Sequence, residues 1–404
     1  MSTAPSLPLG FRWSSTTAGI KASGKPDVAL AVCDGGANAA ALFTRNQIVA
    51  APVIVGRRHL AATGGRVTGV LVNAGNANCA TGEPGIEACR LSCIAAANQF
   101  GCVFDEIFPS STGIIGVPLP VEKLIAAVPA AAAALGNIPA HAEAFATAIL
   151  TTDTKLKVAS ASIQFSDKTV NLWGCCKGAG MIGPNLGGPP HATMLCYIFT
   201  DLGAPPEHLE PMLIKAVEAS FNSISIDGDT STNDTVLLLA SGQSGVTAQL
   251  DVVPAFEAAL LRVCQSLAHA IIDDGEGVTH VVTLEITGAR SDAEAKTIAR
   301  SIAHSPLCKT AWSSGDPNWG RLLAAAGYAG VAFDPATVTI SIAGLPVFAH
   351  GVRAAAYDEA ATHAAMLARE YTIHIDLGQA EGRCRFLTCD LTHEYVSINA
   401  DYST

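Results

Sequence analysis

The Ala192-Thr193 step is where residue type and setting first suggest covalent chemistry in this chain. It follows a cramped run, Gly187–His191, and leads into the apolar stretch Met194–Phe199. A threonine at a chain start is nucleophile and base in one residue. Its hydroxyl attacks, and its own α-amine, with a pKa of about 8, takes the proton. Inside a chain that amine must first be released. The Thr193 hydroxyl would attack the Ala192 carbonyl in an N-to-O acyl shift, and water would hydrolyse the ester. The small residue before the threonine leaves that carbonyl accessible, and a strained loop would help distort the bond. The same residues also suit an ordinary strand start.

Other segments carry polar groups of useful type. In Ser110–Gly116, SSTGIIG, a small-residue turn could present consecutive backbone N–H groups to an oxyanion. Thr151–Lys157, TTDTKLK, is a polar cluster after an apolar helix and reads equally as a helix cap. Glu276, between two glycines, either reaches a ligand amine or is a plain loop carboxylate. Asp316–Arg321, DPNWGR, and the C-terminal INADYST complete the set; the chain end either folds into a site or frays. Gly178, Gly180 and Gly183 match GxGxxG, with Asp201 at a distance suited to a ribose. That dinucleotide reading fails on context. Pro184, Gly187, Gly188, Pro189 and Pro190 forbid the helix whose N-terminus must carry the pyrophosphate. The histidines are dispersed with no HExxH. Neither Cys175-Cys176 nor Cys89/Cys93 has zinc-site spacing, so no metal is expected.

These residues need a scaffold, and the pattern supplies one. Short apolar runs alternate with Ala-rich helical stretches. Val67–Gly75 reads as a buried strand and Gly85–Phe100 as a helix. VEKLIAAVPAAAAALG is helical in composition, with Pro129 expected to kink or split it. His141–Leu150 reads as a helix stopping at TTDT. KVASASIQF and KTVNLWGCC read as a hairpin turning near Ser166-Asp167. PEHLEPMLIKAVEASF reads as a helix, and TNDTVLLLAS as a turn into a strand. Further on, THVVTLEITGA reads as a strand, and Ser291 with Glu294 makes a capping box for the next helix. TVTISIAGLPVFAHG and YTIHIDLG are further strands. The expected fold is α/β, with mixed and antiparallel sheets layered with helices, and a smaller C-terminal α/β region. A seam is expected near residues 273–280.

Composition sets the outer limits. With 404 residues, 49% hydrophobic and 15% charged, a sizeable core is expected. No run approaches the 18–20 apolar residues of a membrane span. A formal charge of −11 argues against nucleic acid and anionic membrane surfaces as partners. The N-terminus lacks the charged and apolar regions of a secretory signal. Twelve cysteines without repeated spacing read as free thiols in a reducing cytoplasm.

Taken in order, the segments resemble one family, the ornithine acetyltransferases, bifunctional glutamate N-acetyltransferases of arginine biosynthesis. The resemblance runs from GFRWSSTTAGIKASGKPDVAL through FTRNQIVAAPV, NAGNANCATG, SSTGIIG, TTDT, KGAGMIGPN, ATML, DGDTSTNDTVLL, DGEGVTH and DPNWGR to NADYST. It implies an N-terminal-nucleophile-like fold and self-cleavage between Ala192 and Thr193. Residues 1–192 would form an α chain and residues 193–404 a β chain, retained together as α2β2. Thr193 is implied to carry the acetyl group, and Thr112 and Gly113 to form the oxyanion hole. Thr151 or Thr152, Lys177, Glu276, Asn399 and Thr404 match the family's substrate-contacting positions. Lys177 suits a substrate carboxylate and Glu276 an ammonium. The implied reaction is ping-pong, from N-acetylornithine to glutamate, with no metal or nucleotide cofactor. Some members also accept acetyl-CoA as donor. The alternative is a self-cleaving amidase or aminopeptidase of the same fold, which passes the acyl group to water. Two departures stand out. Gly187–His191 is an insertion relative to the family's PN-M-A-T-M-L, which bears on maturation. Cys175-Cys176 stands where small apolar residues are usual.

Overall fold

The computed structural model describes residues 6–183, 186 and 194–401. Ala192, Thr193, Thr404 and the Gly187–His191 insertion therefore lie outside the described residues.

The first half of the chain contributes strands β1 (Phe11–Thr16), β2 (Val28–Phe43), β3 (Arg66–Asn76), β4 (Ile107–Ile114), β5 (Lys157–Phe165) and β6 (Lys168–Lys177). Between them run helices α1 (Ala51–Thr63), α2 (Gly82–Phe100), α3 (Val121–Ala133) and α4 (Pro139–Ala148). The chain continues through β7 (Leu195–Thr200), α5 (Pro206–Glu218), β8 (Ile224–Ser225), β9 (Thr235–Ala240) and α6 (Val253–Asp273). The remainder forms β10 (Val281–Ala289), α7 (Asp292–Ala303), α8 (Pro306–Ser313), α9 (Trp319–Gly327), β11 (Thr339–Ile342), β12 (Leu345–Ala349) and β13 (Val352–Arg353). It ends in α10 (Glu359–Met366), β14 (Glu370–Asp376), β15 (Gly382–Cys389) and α11 (His393–Asp401).

Two mixed sheets result. In the first, the described strands run in the order β4-β3-β2-β9-β7-β6-β5, with β1 also paired to β2. In the second they run β13-β12-β11-β14-β10-β15-β8. The fold is thus α/β with mixed and antiparallel sheets covered by helices, and the C-terminal sheet forms the smaller region.

The first sheet is buried on both faces at its centre, which explains the unbroken apolar run of β7. Successive side chains on a strand point to opposite faces. Cys196 and Ile198 pack with Leu172, Val236 and Leu238 against Leu213 of α5 and Leu260 and Leu267 of α6. Leu195, Tyr197 and Phe199 face the other way, onto Trp13, Trp173 and Phe145 of α4. Strand β2 spans sixteen residues. It changes partners where its register shifts between Val32 and Ala37. Gly35 and Gly36 take φ of 92° and 78° there, a backbone shape that glycine adopts without strain. The second sheet packs Leu284, Ile286 and Ile373 against Ile298 and Ile302 of α7.

Four local expectations change. Pro129 lies inside α3 without splitting it. It is on the exposed face, so the carbonyl it leaves unpaired one turn earlier, at the half-buried Ile125, is within reach of water. Ser110–Ile114 of SSTGIIG form the end of β4 rather than a turn, paired in parallel with β3. TVTISIAGLPVFAHG is a hairpin, β11 and β12 turning at Ala343-Gly344, both at positive φ. Helix α6 is long and apolar enough to meet the membrane-span test, against expectation. Its buried face of Phe256, Leu260, Val263, Leu267 and Ile271 packs in the core, while Glu257, Arg262 and Gln265 lie off that face. The Ser291 cap holds as read, its hydroxyl accepting from Glu294 N–H.

Candidate active site

Strand register brings three chain segments to one end of the first sheet. Leu195, opening β7, pairs with Lys177, which closes β6. On its other side Leu195 pairs with Thr235, which opens β9. The polar stretch before β9 therefore lies beside the point where the described chain resumes at Met194. Asn233 joins the far side of the sheet to this point. Its amide donates to Ala77 O at 2.6 Å and to Ser111 O at 2.8 Å.

A cleft opens here, lined by Thr112, Gly113, Thr151, Thr152, Lys177, Glu276 and Asn399. Each was singled out in the sequence, and they span the chain from β4 to α11. Ala77, Ile115, Gly180, Met181, Ser231 and Asn233 complete the lining. Thr193, Ala192 and Thr404 lie outside the described residues. The remaining motif, Asp316–Arg321, is not part of the lining: Asn318 caps α9, accepting from Arg321 N–H at 3.3 Å.

Gly113 sits where β3 and β4 slip register, at φ 133°. A Cβ there would run into the backbone of Gly75 and Asn76, so close strand approach and backbone shape both demand glycine. Gly180 serves a different end. A Cβ on it would lie 2.5 Å from a Glu276 carboxylate oxygen. The absence of a side chain lets Glu276 lie against this loop, and Glu276 N–H donates to Ala179 O at 2.9 Å. The Glu276 carboxylate accepts from the Asn399 amide at 2.8 Å. Helix α11 thus does not fray: Thr392 Oγ1 donates to Gly277 O at 2.7 Å, and Tyr395 OH to Asp227 at 3.2 Å. Asp227 also accepts Met181 N–H at 2.7 Å and Ile182 N–H at 2.9 Å, which fixes the GAGMIG loop. Asp201 is buried and accepts Asn171 N–H at 2.8 Å, so its carboxylate is engaged within the fold.

Charge is concentrated just behind the cleft. Lys177 is 4% exposed and makes no ion pair among the described residues. Burial pulls its ammonium below the usual lysine range; Asp153 opposes this and Lys157 reinforces it. Burial alone would raise Asp153, but Lys177 and Lys157 together bring it down to about 2. Asp234 shows the opposite balance. It is fully buried, and one oxygen accepts the N–H of Met194. Burial holds the carboxyl far above the usual range, against the opposing pull of backbone N–H groups at Met194, Ser231 and Asp234 and of Lys177. Asp234 is thus a carboxyl whose charge burial strongly disfavours, hydrogen-bonded to the backbone at Met194. Asp234, Asn233 and Ser231 belong to DGDTSTNDTVLL, a stretch whose polar density ahead of a strand was the available signal.

The comparisons agree along the whole length. A family model described as the ArgJ family matches residues 12–404. The arginine biosynthesis bifunctional protein ArgJ of Nitratidesulfovibrio vulgaris is 40% identical over 395 residues, covering 98% of this chain and 98% of that protein. The protein of the same name from Thermus thermophilus is 44% identical over 398 residues, covering 98% and 99%. Among solved structures, arginine biosynthesis bifunctional protein argJ from Bacillus halodurans is 36% identical with a TM-score of 0.50, over 52% of this chain and 100% of that one.

Proposed function

The chain belongs to the ArgJ family, and from that premise we propose that it moves an acetyl group from N-acetylornithine to glutamate through an acetyl-Thr193 intermediate. The observation that carries the reading is the convergence of Thr112, Gly113, Thr151, Thr152, Lys177, Glu276 and Asn399 on one cleft, beside the strand that begins just after Thr193.

The enzyme first cuts itself between Ala192 and Thr193. The freed α-amine of Thr193 then takes the hydroxyl proton as the oxygen attacks the acetyl carbonyl. Backbone N–H groups at Thr112 and Gly113 stabilise the negative oxygen that forms. The C–N bond breaks, the proton passes to the departing amine, and ornithine leaves. Glutamate's amine attacks the ester by the reverse steps, giving N-acetylglutamate and restoring the threonine. Both amino acids present the α-carboxylate to Lys177; the side-chain ammonium of N-acetylornithine faces Glu276, and the Asn399 amide donates to the side-chain carboxylate of glutamate, whose one amine is the attacking group. Acetyl-CoA serves as an alternative donor only if the cleft admits its thioester. The free state of all twelve cysteines favours a cytoplasmic setting. The assembly is α2β2.

Intact mass measurement after incubation with N-acetylornithine tests the scheme. A chain beginning at Thr193 and heavier by one acetyl group is expected, and Thr193→Ala should remain one uncut, inactive chain. Two fragments from Thr193→Ala would overturn the mechanism. Release of acetate without transfer to glutamate would favour an amidase instead.

A further inference from the structure

We propose that Asp153 is a positioning residue for this site: it fixes the Lys177-Gly178 backbone and supplies the buried counter-charge for the Lys177 ammonium. The inference rests on the reading of Lys177 as the carboxylate-binding group.

The Asp153 side chain is completely enclosed at the turn between α4 and β5. One oxygen accepts Gly178 N–H at 2.6 Å, on the residue that follows Lys177. The same oxygen accepts Lys157 Nζ at 2.7 Å. The other accepts Thr151 N–H at 3.0 Å, in the loop that lines the cleft. Lys157 is also paired with Asp274, which in turn accepts Thr154 N–H at 3.0 Å and Lys155 N–H at 3.1 Å. Asp153 and Asp274 bring two negative charges and Lys157 one positive, so the array balances only when Lys177 is counted. A hub needed for shape alone would be served by neutral acceptors, because buried ions cost several kcal/mol each to desolvate.

The groups facing Lys177 are Asp153 and Lys157, then Asp234 and Glu276, with Lys21 beyond them. Asp153 is the strongest of these in favour of the charged lysine, and Lys157 opposes it. Removing one or the other must therefore move Lys177 in opposite directions. A purely structural role predicts no such opposition.

The test uses the full-length matured protein with ε-13C-lysine, the Lys177 signal being assigned by its loss in Lys177→Met. Asp153→Asn keeps an acceptor for Gly178 N–H but removes the charge. Its Lys177 titration should fall by about one pH unit or more, and Lys157→Met should raise it. The KM for glutamate should then begin to climb at lower pH in Asp153→Asn, about tenfold per unit, with kcat less affected. Titrations that move the same way in both variants, or not at all, overturn the proposal. If Asp153→Asn does not fold, the upward shift in Lys157→Met alone decides. Opposed titrations with unchanged KM profiles would uphold the role of Asp153 and overturn the reading of Lys177 as the carboxylate site.

Discussion

Asp153 and Asp234 are the same side chain, both enclosed, with their carboxyl groups pushed in opposite directions. Two ammonium groups pull the first down to about 2, whereas backbone N–H groups and Lys177 do not offset the burial of the second. The sign of the second case yields a prediction. A carboxyl raised in the folded state stabilises most below its unfolded pKa of about 3.9, and stability is lost as pH rises toward the folded value. Asp234→Asn cannot ionise and still accepts Met194 N–H. At pH 7 it should be as stable as the parent or more so by urea unfolding, whereas Asp234→Ala should lose about 1–3 kcal/mol. An Asn variant as unstable as the Ala variant would contradict a carboxyl held above its usual range. Cleft residues such as Lys177, Glu276 and Asn399 were legible because each sat in a distinctive short run. Lys157 was read as the end of the polar run Thr151–Lys157 and as the first residue of a strand. Sequence alternation shows which side a residue takes, not that a lysine there is fully enclosed.

Among the elements, strands and helices with clear periodicity were legible, and the differences arose where backbone geometry decided. Ser110–Gly116 has the composition of a turn, yet pairing with β3 draws it into the sheet until the register slips at Gly113. Ala343-Gly344 lacks the usual Asn-Gly signal, so one long apparent strand is two. Pro129 was expected to break a helix whose exposed side could tolerate it. Helix α11 is the most informative case. None of its residues is buried, and side-chain bonds from Thr392, Tyr395 and Asn399 tie it to the rest. Deleting residues 393–404 should lower the thermal midpoint by no more than about 2 °C. It should raise KM for glutamate roughly tenfold or more through the lost Asn399 contact. A large drop in melting temperature would show that α11 supports the core rather than the site.

For the whole molecule, the arrangement of the first sheet matters most. On the proposed cut, residues 1–192 hold β1 to β6, while β7 and β9 come from residues 193–404. Strands β7 and β9 lie side by side between β2 and β6. The cut chains should therefore elute as one species in native size exclusion and resolve into two bands only on a denaturing gel. Separation in native buffer would be incompatible with this interleaving. Strand order has a further effect. Before cleavage, unfolding is a unimolecular event that the chain can reverse alone. Afterwards, refolding requires two diffusing partners to find each other, so measured stability becomes dependent on protein concentration. The molecule would be assembled as one polymer and thereafter survive through the slowness of its dissociation.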